Sequence, residues 1–237
     1  MTRTTLVLSR HGRTGWHHPN RYAGRSDVPL DAVGEQQAER LARWAARQEF
    51  TGLVCSPLGR ARDTAAPTAK ATGLSPVVEP RLRELDFGIA EGRTLAELRA
   101  ADPEVVARFE ADPAADHFPG GEAPVQAVSR ALDALTALAV ADPGGRILVV
   151  AHNTLIRLVT CAVLGVPLAE YRRRLPVLDP VATTTLRFPV PADGPATGPT
   201  GPTGLPAEPV AVLAYNVPLC RGWDDPDHHD DADQRTT

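Results

Sequence analysis

The sequence has few cysteines and no long apolar run, and each shortage excludes a class of protein. Three cysteines, Cys55, Cys161 and Cys220, lie far apart and are odd in number, so a disulfide framework is excluded and buried thiols in a reducing cytosol are favoured. No apolar run is long enough for a membrane span, and the residues after Met1 do not form a signal peptide. We therefore expect a cytoplasmic protein with no membrane partner.

Lysine is almost absent, so arginine carries nearly all of the positive charge. Lys70 is the only lysine, and the 25 Lys and Arg residues stand against 29 Asp and Glu residues. The resulting formal net charge of −4 argues against a general nucleic-acid-binding protein. With 237 residues, 43% of them hydrophobic and 23% charged, the chain can bury a sizeable core in one domain.

Three short apolar runs end at polar residues, which is typical of strands that lead into a ligand site. The runs at residues 6–8, 53–55 and 147–150 predict strands that are buried on both faces of a parallel sheet. In open α/β sheets, ligands bind at the carboxyl ends of the strands. His11 and His152 follow the first and the last of these runs, so we expect the two imidazoles to converge there.

Two arginines are predicted to join these histidines. Arg10 precedes His11, and its guanidinium fork suits the oxygens of a phosphate. Ser56 is a good helix N-cap, and Pro57 would then take the first helical position. That placement puts Arg60 in the first helical turn, where free backbone N–H groups already favour anions. The two histidines and two arginines together indicate a site for a tetrahedral anion.

Five motifs resemble those of the histidine phosphatase superfamily, which is also called phosphoglycerate mutase-like, and they occur in the same order along the chain as in that family. They cover roughly residues 4 to 188, and five in order are far more specific than any one alone. They are Arg10-His11-Gly12-Arg13-Thr14, Ser56-Pro57-Leu58-Gly59-Arg60-Ala61, Arg83-Glu84 with Phe87-Gly88 and Glu91-Gly92 behind it, Pro119-Gly120-Gly121-Glu122, and Val150-Ala151-His152. The resemblance implies a three-layer α/β/α sandwich with a mainly parallel central sheet.

The chemistry of these residues suggests their roles. His11 is the candidate nucleophile, because a neutral imidazole can attack phosphorus and form a phosphohistidine. Arg10, Arg60 and His152 would hold the phosphoryl oxygens and offset their charge.

Glu84 is the candidate general acid, since the leaving alkoxide needs a proton and the attacking water must later lose one. The alternative for Glu84 is a salt bridge to Arg81 or Arg83. Asp86 competes with Glu84 for the acid's role on spacing, but the position of Glu84 matches the acid of the resembling family.

The loop at residues 15–29 is polar and aromatic and follows His11, so it is placed to line the site. In the resembling family, the sixth residue after the nucleophilic His is commonly an Asn that contacts phosphate. This chain has His17 there, and Asn20 is an alternative donor. Arg21 matches a family Arg that binds the substrate's phosphate or carboxylate end.

Two further positions concern substrate binding. Arg25, with Arg21, suggests a second anionic group on the substrate. Asn153, beside His152, stands where the family usually has Gly and is a further candidate substrate-binding residue.

No metal or other cofactor is expected at the histidines. His11 and His152 lack a carboxylate cluster at ligand spacing, and the neighbouring arginines would repel a divalent ion. The run of His228 and His229 among Asp227, Asp230 and Asp231 could bind metal loosely, but a solvated tail is the favoured interpretation.

The domain organisation predicted from the sequence is one catalytic domain at residues 1–223, followed by a disordered acidic tail at 224–237. A flexible loop rich in Pro, Gly and Thr is expected at residues 189–209, between strands at 181–188 and 210–215.

Several helices are also predicted. Asp31 caps a helix that runs to about Gln48, and Pro67 kinks or shortens the helix that contains Arg60. Residues 93–118 form a helical cover broken at Pro103 and Pro113, and further helices span about 124–141 and 154–164.

The favoured function is a metal-independent phosphatase that acts on a small phosphorylated metabolite. One alternative is a phosphoglycerate mutase, although residues 92–120 are short, mostly Ala, Asp and Glu, and lack the basic residues expected of such mutases. Another is a non-catalytic module that binds phosphorylated metabolites, against which His11 and Glu84 argue. The expected partner is a small phosphorylated substrate, and a homodimer is left open.

Overall fold

The structure is a computed structural model that describes residues 2–190 and 209–219. Within these residues, six strands form one sheet. The strand order across the sheet is β3-β2-β4-β1-β5-β6. The strands are β1 (Thr2–Arg10), β2 (Gly52–Cys55), β3 (Pro76–Val78), β4 (Arg146–Ala151), β5 (Thr183–Val190) and β6 (Ala211–Val217).

Four neighbouring strands of the sheet are parallel. β3 pairs with β2, β2 with β4, and β4 with β1, all in parallel, whereas β5 is antiparallel to both β1 and β6. The expected mainly parallel sheet is therefore confirmed, with its antiparallel pairs confined to one side. The carboxyl ends of β1, β2 and β4 meet at the same edge of the sheet.

Helices cover both faces of this sheet. Val7 of β1 and Leu148 of β4 belong to the same buried cluster as Leu41 of α1 and Ala61 of α2, whereas Leu6 belongs to the cluster of α5 and α6. The predicted three layers are thus confirmed. The helices are α1 (Ala32–Ala45), α2 (Gly59–Thr72), α3 (Leu95–Ala101), α4 (Pro103–Ala111), α5 (Pro124–Ala141), α6 (Asn153–Leu164) and α7 (Tyr171–Arg174), with 3₁₀ turns at Pro80–Leu82, Gly88–Ala90 and Leu168–Glu170.

Most predicted helices form close to their expected limits. The side chain of Asp31 caps α1 by accepting the Gly34 N–H at 2.8 Å, and the predicted apolar stripe of α1 is buried. α1 ends three residues before Gln48. Pro103 is not a simple break, because it opens α4 at the first helical position, where its missing N–H costs no helix hydrogen bond.

The predicted start of α2 is wrong. α2 begins at Gly59 with Leu58 as its N-cap, and Ser56 does not cap it. The Ser56 hydroxyl instead lies 2.6 Å from Nε2 of His152, a partner that only the folded sheet brings within reach. Pro67 does not shorten α2, which continues to Thr72 because its buried stripe stays packed on both sides of the proline.

The predicted loop at 189–209 begins two residues too early. Pro189 and Val190 continue β5, where they pair with Arg3 and Thr2 of β1. A proline is tolerated there because the pairing of β5 with β6 covers only Thr183 to Arg187, so in the described part of the chain β5 is paired on one side at this position. Residues 191–208, the tail at 224–237 and Cys220 lie outside the described residues.

Two smaller expectations can also be compared with the structure. Cys55 and Cys161 are buried free thiols, as predicted. Within residues 2–190 and 209–219, we find no helix with the length and apolar content that crossing a membrane requires.

Candidate active site

The parallel pairing of β1 with β4 brings the two predicted histidines together, although 141 positions separate them in the chain. Arg10 is the register partner of Ala151, and the His11 N–H donates to the Ala151 carbonyl at 3.0 Å. The ring centroids of His11 and His152 are 5.2 Å apart. The chain turns after β1 at Gly12, where a Cβ atom would lie 2.6 Å from the Gly34 carbonyl oxygen, so only glycine fits this turn without displacing α1.

The hydrogen bonds of His11 fix which ring nitrogen faces a substrate. Nδ1 lies 2.7 Å from the Gly12 carbonyl oxygen. Because a carbonyl can only accept, Nδ1 carries the proton and Nε2 keeps its lone pair. The Arg60 Nε–H donates to that lone pair at 3.2 Å. Nε2 is thus the nucleophilic atom of His11.

Both histidines stay neutral in this site. Burial lowers the pKa of His11 well below its ordinary value, and the neighbouring His152, Arg60 and Arg10 disfavour a positive charge on it further. The pKa of His152 is lowered by burial and by Arg60 in the same way. A neutral imidazole at position 11 is the form that can attack phosphorus.

Arg60 is held by the loop that precedes α1. Its side chain is fully buried, and its Nη atoms donate to the carbonyls of Ala23, Gly24 and Ser26 at 2.8 to 3.0 Å. Only Nε is directed at His11. Arg60 therefore offers the site one rigidly held donor next to the nucleophilic nitrogen.

Arg10 and His17 form a second group of donors. Nη2 of Arg10 lies 2.6 Å from Nε2 of His17, while Nδ1 of His17 is 3.0 Å from the Thr14 N–H. A neutral imidazole has one lone pair, so it can accept from only one of these two N–H groups. Burial and the adjacent Arg10 lower the pKa of His17 to about 3, which keeps the ring neutral. An N–H left unpaired here is available to an anionic oxygen.

His152 presents a buried, unpaired ring nitrogen to the site. The Ser56 hydroxyl accepts the Leu58 N–H at 3.3 Å and lies 2.6 Å from Nε2 of His152, with which it shares a hydrogen bond. Nδ1 of His152 is buried without a partner among the described residues, as is Nε of Arg10. A buried unpaired N–H costs about 1–3 kcal/mol, and a bound phosphoryl oxygen would remove that cost.

Glu84 lies at the N-terminus of α6. Its two carboxyl oxygens accept the N–H groups of Thr154 and Leu155 at 2.9 and 3.0 Å. Burial nevertheless raises its pKa, which suits a general acid. The alternative salt bridges are not formed, because Arg81 pairs with Glu79 and Arg83 pairs with Glu122.

Asp86, the competing acid, lies away from the cavity. Its carboxylate pairs with Arg25 at 3.2 Å and accepts the Gly88 N–H at 2.9 Å. Arg25 is 71% exposed in its side chain and does not line the cavity either. The structure therefore gives no support to the expectation that Arg25 meets a second anionic group of the substrate.

A cavity of about 420 Å³ opens beside His11. Most of the predicted site residues line it, namely Arg10, His11, His17, Asn20, Arg21, Glu84 and Asn153. His152 and Arg60 are buried behind this lining. Trp16 and Tyr22 also line the cavity, as expected of the loop at residues 15–29, whereas Arg157, Tyr171 and Arg172 were missed by the sequence analysis. Arg157 could have been found from its place one turn into the helix after His152, whereas no sequence signal marks the others.

Arg21 lines the cavity but is already paired. Its guanidinium donates to both carboxylate oxygens of Glu97, at 2.7 and 2.9 Å, and to the Gly92 carbonyl at 2.7 Å. Glu97 belongs to the first turn of α3, so Arg21 connects the loop at residues 15–29 to that helix. Its guanidinium is less available to a substrate than the sequence suggested.

The residues of the site do not form a metal centre. Across residues 2–190 and 209–219, no three His, Cys, Asp or Glu side chains are grouped so that they could hold a metal ion. The candidate cluster at residues 227–231 lies outside the described part of the chain.

Comparison with known families now gives the site a context. The model of the histidine phosphatase superfamily, branch 1, matches residues 6–190 of this chain. The chain belongs to the histidine phosphatase superfamily. Enzymes of this histidine phosphatase group are phosphatases or mutases, which agrees with the resemblance seen in the five motifs.

Individual relatives of this chain fall on both sides of that division. A probable phosphoglycerate mutase GpmB of Serratia proteamaculans is 36% identical over 171 residues, which cover 72% of this chain and 80% of the relative. A mycobacterial glucosyl-3-phosphoglycerate phosphatase superposes with a TM-score of 0.76 at 27% identity and covers 91% of this chain and 100% of its own. Bacillus stearothermophilus YhfR superposes with a TM-score of 0.76 at 27% identity, and the match covers 90% of this chain and 97% of YhfR.

Proposed function

We propose that this histidine phosphatase hydrolyses small phosphomonoesters through a phosphohistidine on Nε2 of His11, without a metal ion. The observation that carries the proposal is the tautomer of His11. Nδ1 is held by the Gly12 carbonyl at 2.7 Å, so the lone pair of Nε2 is directed towards Arg60 and the cavity. This arrangement supplies a neutral nucleophile beside a fixed cation.

In the first step, Nε2 of His11 attacks phosphorus and the bond from phosphorus to the ester oxygen breaks. Glu84, whose raised pKa keeps its proton available, gives that proton to the departing oxygen. The unpaired Nε–H of Arg10 donates to a phosphoryl oxygen, and His152 donates to another from its unpaired Nδ1 when the Ser56 hydroxyl donates to its Nε2. These donors offset the charge of the transition state. The products are an alcohol and phosphohistidine.

In the second step, water attacks the phosphohistidine. The Glu84 carboxylate takes the proton of that water, the bond from phosphorus to Nε2 breaks, and inorganic phosphate leaves. His11 regains its lone pair, and Glu84 regains its proton. Positive charge comes from guanidinium groups throughout, which is why no metal is needed.

Phosphoglycerate mutase activity is the second candidate, because the relative from Serratia proteamaculans is named a probable phosphoglycerate mutase. A mutase shares the first step and returns the phosphoryl group to a second hydroxyl. Residues 92–120 do contain Arg93, Arg99 and Arg108, but the segment contributes Leu95 to the cavity lining and none of these arginines. Hydrolysis is therefore favoured over transfer to a second acidic substrate.

The test is to trap the intermediate during turnover of p-nitrophenyl phosphate. Radiolabelled substrate quenched in alkali should leave an acid-labile label on the wild type, and His11→Ala should lose both the label and the turnover while staying folded. His18→Ala is the matched control, since His18 is an exposed histidine of the neighbouring loop. Equal labelling of wild type and His11→Ala would overturn the assignment. A folded wild type that binds phosphate but never releases it from any ester would instead indicate a binding module.

Metal independence and the mutase alternative are tested together. Activity should survive exhaustive treatment with EDTA, and 3-phosphoglycerate should give inorganic phosphate without 2-phosphoglycerate. A complete loss that one divalent ion restores would contradict metal independence. Formation of 2-phosphoglycerate at the rate of phosphate release or faster would favour the mutase.

A further inference from the structure

A second cationic region lies in the cavity next to the His11 end. It consists of Arg157 of α6 and Arg172 of α7, which we call the second arginine pair. Arg157 is 8% exposed, and its Nε and Nη2 donate to the carbonyls of Leu175 and Tyr171 at 2.6 and 3.3 Å. The ring of Tyr171 lies 4.8 Å from its guanidinium carbon. These contacts hold Arg157 in place but provide no negative charge.

Arg172 is held in a similar way. Its Nη1 lies 3.1 Å from the Tyr22 hydroxyl, and its guanidinium carbon lies 5.1 Å from the centre of the Phe109 ring. No carboxylate pairs with Arg157 or Arg172 among the described residues, whereas Arg21 in the same cavity is paired with Glu97. Packing therefore fixes both members of the second arginine pair, and neither forms a salt bridge with a carboxylate of the described residues.

The second arginine pair is not needed to balance the charge of the phosphate that reacts at His11. A phosphomonoester dianion carries about two negative charges, which Arg10 and Arg60 balance. Glu84 is the carboxyl group that lines the cavity, and its oxygens are engaged by the N-terminus of α6. Arg157 is buried and Arg172 is half-buried. Because burying a guanidinium without a salt bridge is costly, a second anion is the partner that suits this pair.

Building on the proposed function, we propose that the substrate carries a second anionic group, a carboxylate or a second phosphate, which the second arginine pair binds. Arginine binds both of these groups through its paired N–H donors. The cavity is lined mostly by polar groups and also contains the side chains of Trp16, Phe87, Leu95 and Pro176. Its volume of about 420 Å³ suits a compact phosphorylated molecule.

The experiment compares substrates that differ in one group. Glycerol 3-phosphate and 3-phosphoglycerate share a carbon skeleton and differ by a hydroxymethyl group against a carboxylate. Fructose 6-phosphate and fructose 1,6-bisphosphate provide the corresponding test for a second phosphate. In at least one of these two pairs, kcat/KM for phosphate release should be about tenfold higher for the substrate that carries the second anionic group. A tenfold difference corresponds to about one charge-assisted hydrogen bond.

Substitutions locate the preference. Arg172→Gln should bring the ratio of kcat/KM between anionic and neutral members close to one, mainly through KM, and Arg172→Lys should keep part of it. Arg173→Gln is the matched control, because Arg173 is the next residue of α7, is 62% exposed and pairs with Glu170. It should leave the ratio unchanged. Circular dichroism and melting curves establish that each variant is folded.

The outcomes separate this inference from the proposed function. A wild type that hydrolyses p-nitrophenyl phosphate but shows equal kcat/KM within both pairs would overturn the second anion site and leave the phosphatase intact. An Arg172→Gln variant that loses both members of a pair equally would overturn it as well. A wild type that hydrolyses no phosphomonoester would overturn the proposed function itself.

Discussion

Glu84 is a buried carboxyl group whose surroundings change its pKa in opposite directions. Burial raises the pKa, while the N–H groups of Thr154, Leu85 and Leu155 and the charge of Arg60 lower it, and the net change is upward. The same N–H groups fix the direction of the carboxyl group. A residue with a fixed direction and a raised pKa can deliver a proton to a leaving group at a pH where an exposed Glu is already ionised.

We predict that Glu84→Gln harms alkyl phosphates far more than aryl phosphates. An alkyl phosphate leaves as a strongly basic alkoxide and needs the proton, whereas p-nitrophenol leaves as a stable anion. The loss for alkyl phosphates should be about 10² to 10⁴ in rate, the usual contribution of general acid catalysis. The measurement is single-turnover formation of phosphohistidine with both substrates.

The pH profile provides the control for this prediction. Since the acid must be protonated, the first step with an alkyl phosphate should slow as pH rises through the raised pKa of Glu84, and Glu84→Gln should remove that dependence. Because the pKa of His11 is lowered, the nucleophile stays neutral even when the pH falls below the ordinary pKa of a histidine. Equal losses on both substrate classes, or an unchanged alkaline limb, would show that Glu84 only positions groups.

At the scale of elements, Arg130 of α5 connects that helix to the segment that carries Glu84. Its side chain is 12% exposed, pairs with the 9% exposed Glu122 at 2.7 Å, and donates to the carbonyls of Arg83 and Glu84 at 2.8 and 3.3 Å. The segment at 83–87 has no regular helix or strand of its own. Its position therefore depends on side-chain contacts such as these.

We predict that Arg130→Ala lowers the free energy of unfolding by about 3 kcal/mol, because it leaves Glu122 and several carbonyls short of a buried partner. It should also lower kcat, since Glu84 loses its support. Arg99→Ala is the control, because its pair with Glu110 is 50% and 42% exposed and should contribute less than about 1 kcal/mol. Urea unfolding measures both variants, and equal costs would contradict the prediction.

At the scale of the whole molecule, β5 and β6 complete the sheet on the side opposite β3. Arg187 of β5 pairs with Ala211 of β6 in antiparallel register. Residues 188–210 connect these two positions along the chain. His11, Ser56 and His152 follow the carboxyl ends of β1, β2 and β4, and the groups proposed for the chemistry all precede the segment at 191–208 in the chain. A phosphatase that uses these groups should not need that segment for chemistry.

We predict that replacing residues 191–208 with a short Gly-Ser turn leaves kcat for p-nitrophenyl phosphate nearly unchanged. Antiparallel strands can be joined by a short loop, so the β5–β6 pairing should survive. Steady-state kinetics and a melting curve test this. A large fall in kcat in a variant that melts like the wild type would show that the segment takes part in the reaction.

Local patterns predicted the elements because they depend on neighbours in the chain. The spacing of Leu41 and Ala45 was enough to place α1, and the run at 147–150 was enough to place β4. The start of α2 was mispredicted because Ser56 has two competing partners, a nearby N–H group and the distant His152. The limit of β5 was missed because the fit of Pro189 depends on which side of the strand is paired.

By itself, the sequence determined the fold class, the family and the group of His11, Arg10, Arg60, Glu84 and His152, because order and spacing along the chain are enough to specify strands, helices and motifs. Only the tertiary structure decided the tautomer of His11, the role of Ser56, the pairing of Arg21 with Glu97, and the entry of Arg157 and Arg172 into the cavity. The tautomer of His11 depends on how the turn at Gly12 directs the neighbouring carbonyl, and the other three are set by contacts between segments that are distant in sequence. Burial then sets the charge that each group carries. A linear pattern contains neither the distance between such segments nor the solvent that they exclude.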